Sequence, residues 1–140
     1  MGFGETSSHI IFFVASLIIA VGVVSIIGTN AFAIAQNFNE RGKLLANEYR
    51  TAIAIINDPA ATSNYIYVKN IGKTILHPEL VDVFIDGSYT EPVSVVVEDG
   101  GSLWLPGDVI NITVPSLPSG THRIMVVTEY GVNDVITYTK

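Results

Sequence analysis

Residues 10–27 read IIFFVASLIIAVGVVSII, and the rest of the chain takes its meaning from that run. It holds no charged residue, no Asn, no Gln and no Pro. As a helix, its 18 residues rise roughly 27 Å, close to the hydrocarbon thickness of a bilayer. A helix on the surface of a soluble core keeps a polar stripe, and this one has none. Ser16 and Ser25 are its only hydroxyls, and each can bond back to a carbonyl one turn earlier. Nothing else in the chain offers a helix to bury it against. The run therefore predicts a transmembrane helix.

Working outward, residues 1–9 (MGFGETSSH) form a short N-terminal segment in which Glu5, Thr6 and Ser7 suit a helix start. There is no basic stretch before the apolar run, and the run exceeds a usual signal-peptide core, so an uncleaved signal anchor is expected. Within the span, Gly22, Ser25 and Gly28 recur every three residues. Small residues let helices approach closely in lipid, so these three are the expected helix-packing face. Beyond Gly28 the helix is expected to continue as a stalk over 28–48. Ile27, Ala31, Ile34 and Phe38 keep one face apolar, and an end is expected between Ala46 and Arg50.

From about Tyr49 the pattern changes to short β-branched and aromatic runs. Strands are expected at 51–56, 65–68, 80–85, 93–97, 109–114, 124–128 and 135–139. Turn signals separate them, among them Asp86-Gly87, Pro106-Gly107-Asp108 and Gly131. About seven short strands with this punctuation predict an antiparallel β-sandwich over 49–140. The fold class is thus α+β: one transmembrane and stalk helix, then a sandwich. Trp104, Phe84 and Tyr67 are its expected core or rim aromatics.

The whole chain sets further bounds. Its 140 residues hold the span and one small domain. Without cysteine there is no disulfide framework and no thiolate site. Net charge is −6 and no basic cluster exists, which disfavours nucleic acid. Gly72-Lys73-Thr74 has the ending of a phosphate-binding loop. Tyr67 stands where the motif needs its first glycine, so nucleotide binding is rejected. His9, His77 and His122 are scattered, and no nucleophile elbow occurs, so neither catalytic residues nor a cofactor is expected. Asp82 and Asp86 share strand parity and, with Glu98 and Asp99, leave a calcium- or sugar-binding module as a minor alternative. Asn111-Ile112-Thr113 is an N-glycosylation sequon, provided Asn111 faces outward.

Several stretches together carry a resemblance: GFGETSSHIIFFVASLIIA, AIAIINDP, IYVKNIGKTILHPELVDVFIDG and LPGDVINITV, in that order. The chain resembles accessory proteins F and G of the archaeal flagellum, or archaellum, the G-type more closely, and the likeness spans nearly its full length. The resemblance implies an immunoglobulin-like sandwich outside the cell membrane on a single N-terminal anchor. It implies a non-catalytic stator role in motility, in homo- or hetero-oligomers with the partner accessory protein or the surface-layer protein. Archaellins and pilins share this plan, so a filament subunit is the alternative. Local charge bears on orientation: Arg41, Lys43 and Arg50 follow the span and by themselves place the C-terminal side inside. They are interleaved with Glu40 and Glu48 and lie well beyond the span. The sequon and the resemblance both place the domain outside, and that orientation is the expectation.

Overall fold

The computed structural model describes residues 2–59 and 64–140. The chain divides into two compact units, Met1–Lys43 and Leu44–Lys140.

Helix α1 runs unbroken over Gly2–Arg50, ending where the loss of helical period predicts. It is long and apolar enough to cross a membrane. Its 49 residues rise roughly 73 Å, more than twice a bilayer core. Ser16 donates to the Phe13 carbonyl and Ser25 to the Val21 carbonyl, both at 2.8 Å, so their hydroxyls cost nothing in an apolar setting. The start differs from expectation. Thr6, Ser7 and Ser8 lie inside the helix and donate back to the carbonyls of Gly2, Phe3 and Gly4 rather than capping it. Gly42 does not interrupt the helix, because one glycine costs only about 1 kcal/mol against Ala.

Among the described residues eight strands follow: β1 (Ile53–Ile55), β2 (Tyr65–Asn70), β3 (Asp82–Ile85), β4 (Ser88–Tyr89), β5 (Ser94–Val97), β6 (Val109–Thr113), β7 (Thr121–Val127) and β8 (Asn133–Thr139). They form two antiparallel sheets, ordered β1-β2-β6-β5 and β4-β3-β7-β8. This is the immunoglobulin-like arrangement, with β4 as an added short edge. Each of the seven expected runs contains a strand. Strand β1 is shorter than expected, with Thr51, Ala52 and Ile56 outside it, and Tyr49 and Arg50 remain helical. Pro78–Leu80 forms a 3-10 turn, since Pro78 cannot donate into a ladder, and β3 starts only at Asp82. The strand missed from sequence is β4. It pairs with β3 across the two-residue turn Asp86-Gly87, whose φ values of 52° and 83° match the hairpin turn that Asp-Gly favours.

Period-two alternation places Ile66 and Val68 of β2, Ile110 and Ile112 of β6, Val83 of β3, and Ile124 and Val126 of β7 between the sheets, each fully buried. Trp104 joins them, also fully buried. Its indole N–H donates to the Asp108 carbonyl (3.0 Å), and its backbone bridges Leu76. Phe84 and Tyr67, expected in the core or at the rim, are instead half-buried on the outer faces of β3 and β2, because they alternate with the inward-facing Val83, Ile85, Ile66 and Val68.

Candidate functional site

The last turn of α1 belongs to the same unit as the sandwich, and this junction is densely hydrogen-bonded. A helix end leaves its final carbonyls without intrahelical partners. Loop 71–74 supplies donors for this stretch of chain. The Lys73 amide donates to the Arg50 carbonyl at 2.8 Å, and the Ile71 and Gly72 amides both donate to Ala52, each at 2.9 Å. Thr51 Oγ1 closes the Asn47 carbonyl at 2.7 Å. The approach is so close that a Cβ on Gly72 would lie 2.5 Å from the Ala52 nitrogen and 2.7 Å from the Arg50 oxygen. Gly72 thus permits a helix cap, which is the work of the segment that superficially ends like a phosphate loop.

Asn70, fully buried, organises this loop. Its amide donates to the carbonyls of Thr74 (2.8 Å) and Trp104 (3.2 Å), and its Oδ1 accepts from the Gly72 amide (3.0 Å). Each buried polar atom of the side chain is satisfied, which is the condition for burying an amide without penalty. A few residues further on, His77 Nδ1 meets the Glu129 carboxylate at 2.9 and 3.2 Å. Burial, and then the charge of Glu129, push the Tyr130 phenol up.

The other stretches that carry the resemblance are brackets of the same kind. In AIINDP, Asn57 donates to the Tyr65 carbonyl and accepts from the Tyr67 amide, both at 2.7 Å, tying the end of β1 to β2. In LPGD, Asp108 accepts from the Leu105 amide across a turn in which Gly107 sits at φ 97°. In VDVFIDG, the Asp86 carboxylate accepts from the Arg123 amide (2.8 Å) and meets His122 Nδ1 at 2.7 Å. The Arg123 bond, then His122, hold the Asp86 carboxyl below its ordinary value. Asp86, then the Pro118 carbonyl, raise His122. Sequence reading missed both histidine pairs because the partners stand 52 and 36 residues apart, beyond any local spacing rule.

The expected site residues fall in different places. Gly22, Ser25 and Gly28 lie exposed along α1, and a Cβ on either glycine would meet nothing within 4 Å. Nothing among the described residues therefore requires glycine there. Asn111 sits mid-strand on the outer face of β6, between Tyr67 and Val96 in register. It is half-buried, its amide donates to the Tyr67 hydroxyl at 3.4 Å, and its Oδ1 is enclosed without a partner. Asp82 is exposed while the Asp86 carboxylate is engaged by His122 and Arg123. Among the described residues no three acidic or histidine groups gather as a metal would need.

The two open sheet edges of most interest are defended. The Asp134 carboxylate accepts from the Ile55 amide at 2.8 Å, closing the outer side of β1. The Pro78–Leu80 turn packs beside β5. Both are common ways of blocking unwanted strand pairing.

Comparison with known proteins follows this geometry. The family model for archaeal-type flagellin matches residues 2–138. A flagella-related protein G from Methanocaldococcus jannaschii is 36% identical, with 92% of this chain and 91% of the relative aligned. A subunit of the archaeal flagellum of Methanospirillum hungatei shares the fold at a TM-score of 0.64 and 17% identity, over 98% of this chain and 93% of that one. The archaellum periplasmic stator protein FlaG of Sulfolobus acidocaldarius superposes at a TM-score of 0.48 and 20% identity, over 63% of this chain and 99% of that one.

Proposed function

Since the chain belongs to the archaeal-type flagellin family, a structural family and not a catalytic one, we propose that it is a membrane-anchored, stator-type part of the archaellum motor. In this reading α1 is the anchor, spanning the cell membrane once through residues 10–27. The sandwich lies outside, where it contacts the partner accessory protein, the surface-layer protein or both. The observation that carries the reading is the near end-to-end alignment with flagella-related protein G, at 36% identity, which covers helix and sandwich alike. The capped junction supports it. A load-carrying head needs its entry segment fixed, and the bonds at Arg50, Ala52 and Asn47 fix the last turn of α1 to the sandwich within one unit.

The second reading is a filament subunit, favoured by the family model and by the fold shared with the Methanospirillum flagellum. One experiment separates the two. Tagged full-length chain is solubilised from archaeal membranes and its partners identified, with N-terminal sequencing and electron microscopy of the same fractions. The stator reading expects small complexes holding an accessory or surface-layer protein. Recovery mainly in long polymers, with a processed N-terminus, sinks it.

A further inference from the structure

We propose that His122 is a charge-dependent latch at the end of the sandwich away from Arg50. As an imidazolium it fastens the β3–β4 turn to the 114–120 loop, and losing its proton gives up the tie at Pro118 and so loosens the seating of that loop on Lys140. Two geometric facts carry this. Nδ1 lies 2.7 Å from Asp86 Oδ2, and Nε2 lies 3.0 Å from the Pro118 carbonyl. Both partners are pure acceptors. A neutral imidazole has one N–H and one lone pair, so it can satisfy only one of them, while the imidazolium satisfies both. The ring is buried, so water cannot easily replace the lost partner.

The surroundings fix which link yields. The Asp86 carboxylate is an ionised acceptor and the Pro118 carbonyl a neutral one, so a neutral His122 keeps its single proton toward Asp86 and gives up Pro118. The 114–120 loop then hangs on Lys140, whose Nζ donates to the Leu117 carbonyl at 3.1 Å and to Asn64 Oδ1 at 3.4 Å. The backbone of Lys140 also pairs with Gly120. Lys140 is the like charge facing His122 and opposes its protonation. The Tyr138 ring on β8 lies 6.0 Å away. Its phenol is kept neutral by burial first, then by the charges of Asp86 and Asp58. The raised titration of His122 agrees with this balance. Histidine is the side chain whose charge changes near neutral pH, so the latch would work in that range. The proposal stands whether the chain serves as a stator or in a filament.

The test uses the full chain in detergent micelles, with the His122 ring followed by NMR across pH and amide exchange read at matched pH. His122 should titrate above the ordinary histidine value. Protection of the Gly120 amide should fall about tenfold as pH passes that midpoint, while the Lys73 amide at the junction keeps its protection. Asp86→Asn should lower the midpoint. An ordinary midpoint in the unmodified chain, protection at Gly120 that ignores pH, or a midpoint unmoved by Asp86→Asn would each overturn the latch. If Asp86→Asn does not fold, the first two readings still decide.

Discussion

Single residues in this chain act mainly by letting backbones meet. Gly72 is the sharpest case. Gly72→Ala forces a methyl into the Ala52 and Arg50 backbone and should cost about 1–3 kcal/mol, the usual penalty of overpacking. Thermal unfolding reads this directly, and an unchanged midpoint would remove the claim that the cap needs glycine. The Asp86–His122 pair makes stability depend on pH from both sides. His122 is raised in the fold, so its contribution is complete below the unfolded value of about 6.5 and is lost as pH rises through the folded value. Asp86 is lowered, so its contribution is present above about 3.9 and is lost as pH falls through its folded value. Urea midpoints across pH should therefore be highest between those limits, and Asp86→Asn with His122→Gln should flatten both flanks. Residue types announced some of this. Asp86-Gly87 and Pro106-Gly107 read as turns because Gly reaches positive φ freely and Pro presets its own. That Gly72 serves a close approach, and that His122 has a charged partner, was not legible. Both depend on residues at least 20 positions away in the chain.

At the scale of the element, α1 carries the clearest prediction. Among the described residues a Cβ on Gly22 or Gly28 would meet nothing within 4 Å, so their smallness is available to a partner helix. Substituting Ile at both positions should leave the sandwich stable and weaken assembly in detergent, measured by sedimentation or crosslinking. Complexes of unchanged size and strength would count against this packing face. The helix was legible because hydropathy and period are properties of consecutive residues. Its start was misjudged for an equally local reason: hydroxyls that favour caps can also bond back one turn, and here they do. Strand β4 escaped notice because two residues show no alternation. It exists only because β3 stands beside it as a template. The sequon belongs at this scale as well. Asn111 lies mid-strand with its oxygen enclosed, so a glycan is expected only if it is attached before folding. An intact mass equal to the bare chain would exclude it.

For the whole molecule, the prediction is topological. Protease added to intact cells should remove the sandwich and leave a membrane-protected fragment containing residues 10–27. Full protection would reverse the proposed orientation and favour the direction suggested by Arg41, Lys43 and Arg50. The sequence by itself determined the apolar span, the change from helical to strand character near Tyr49, seven of the eight strands and the turns between them. All of these rest on hydropathy, side-chain branching and backbone preference over a few consecutive residues. Only the tertiary structure decided which strands share a sheet, that β6 pairs with β2 and β5 while β7 pairs with β3 and β8, and which polar side chains close on one another. Those choices minimise exposed apolar area and unpaired polar groups over the whole domain, and no short window of residues contains that sum. It is also why the stretches that carry the resemblance look like short turns in sequence and prove, in the fold, to be the brackets holding two sheets and a helix end together.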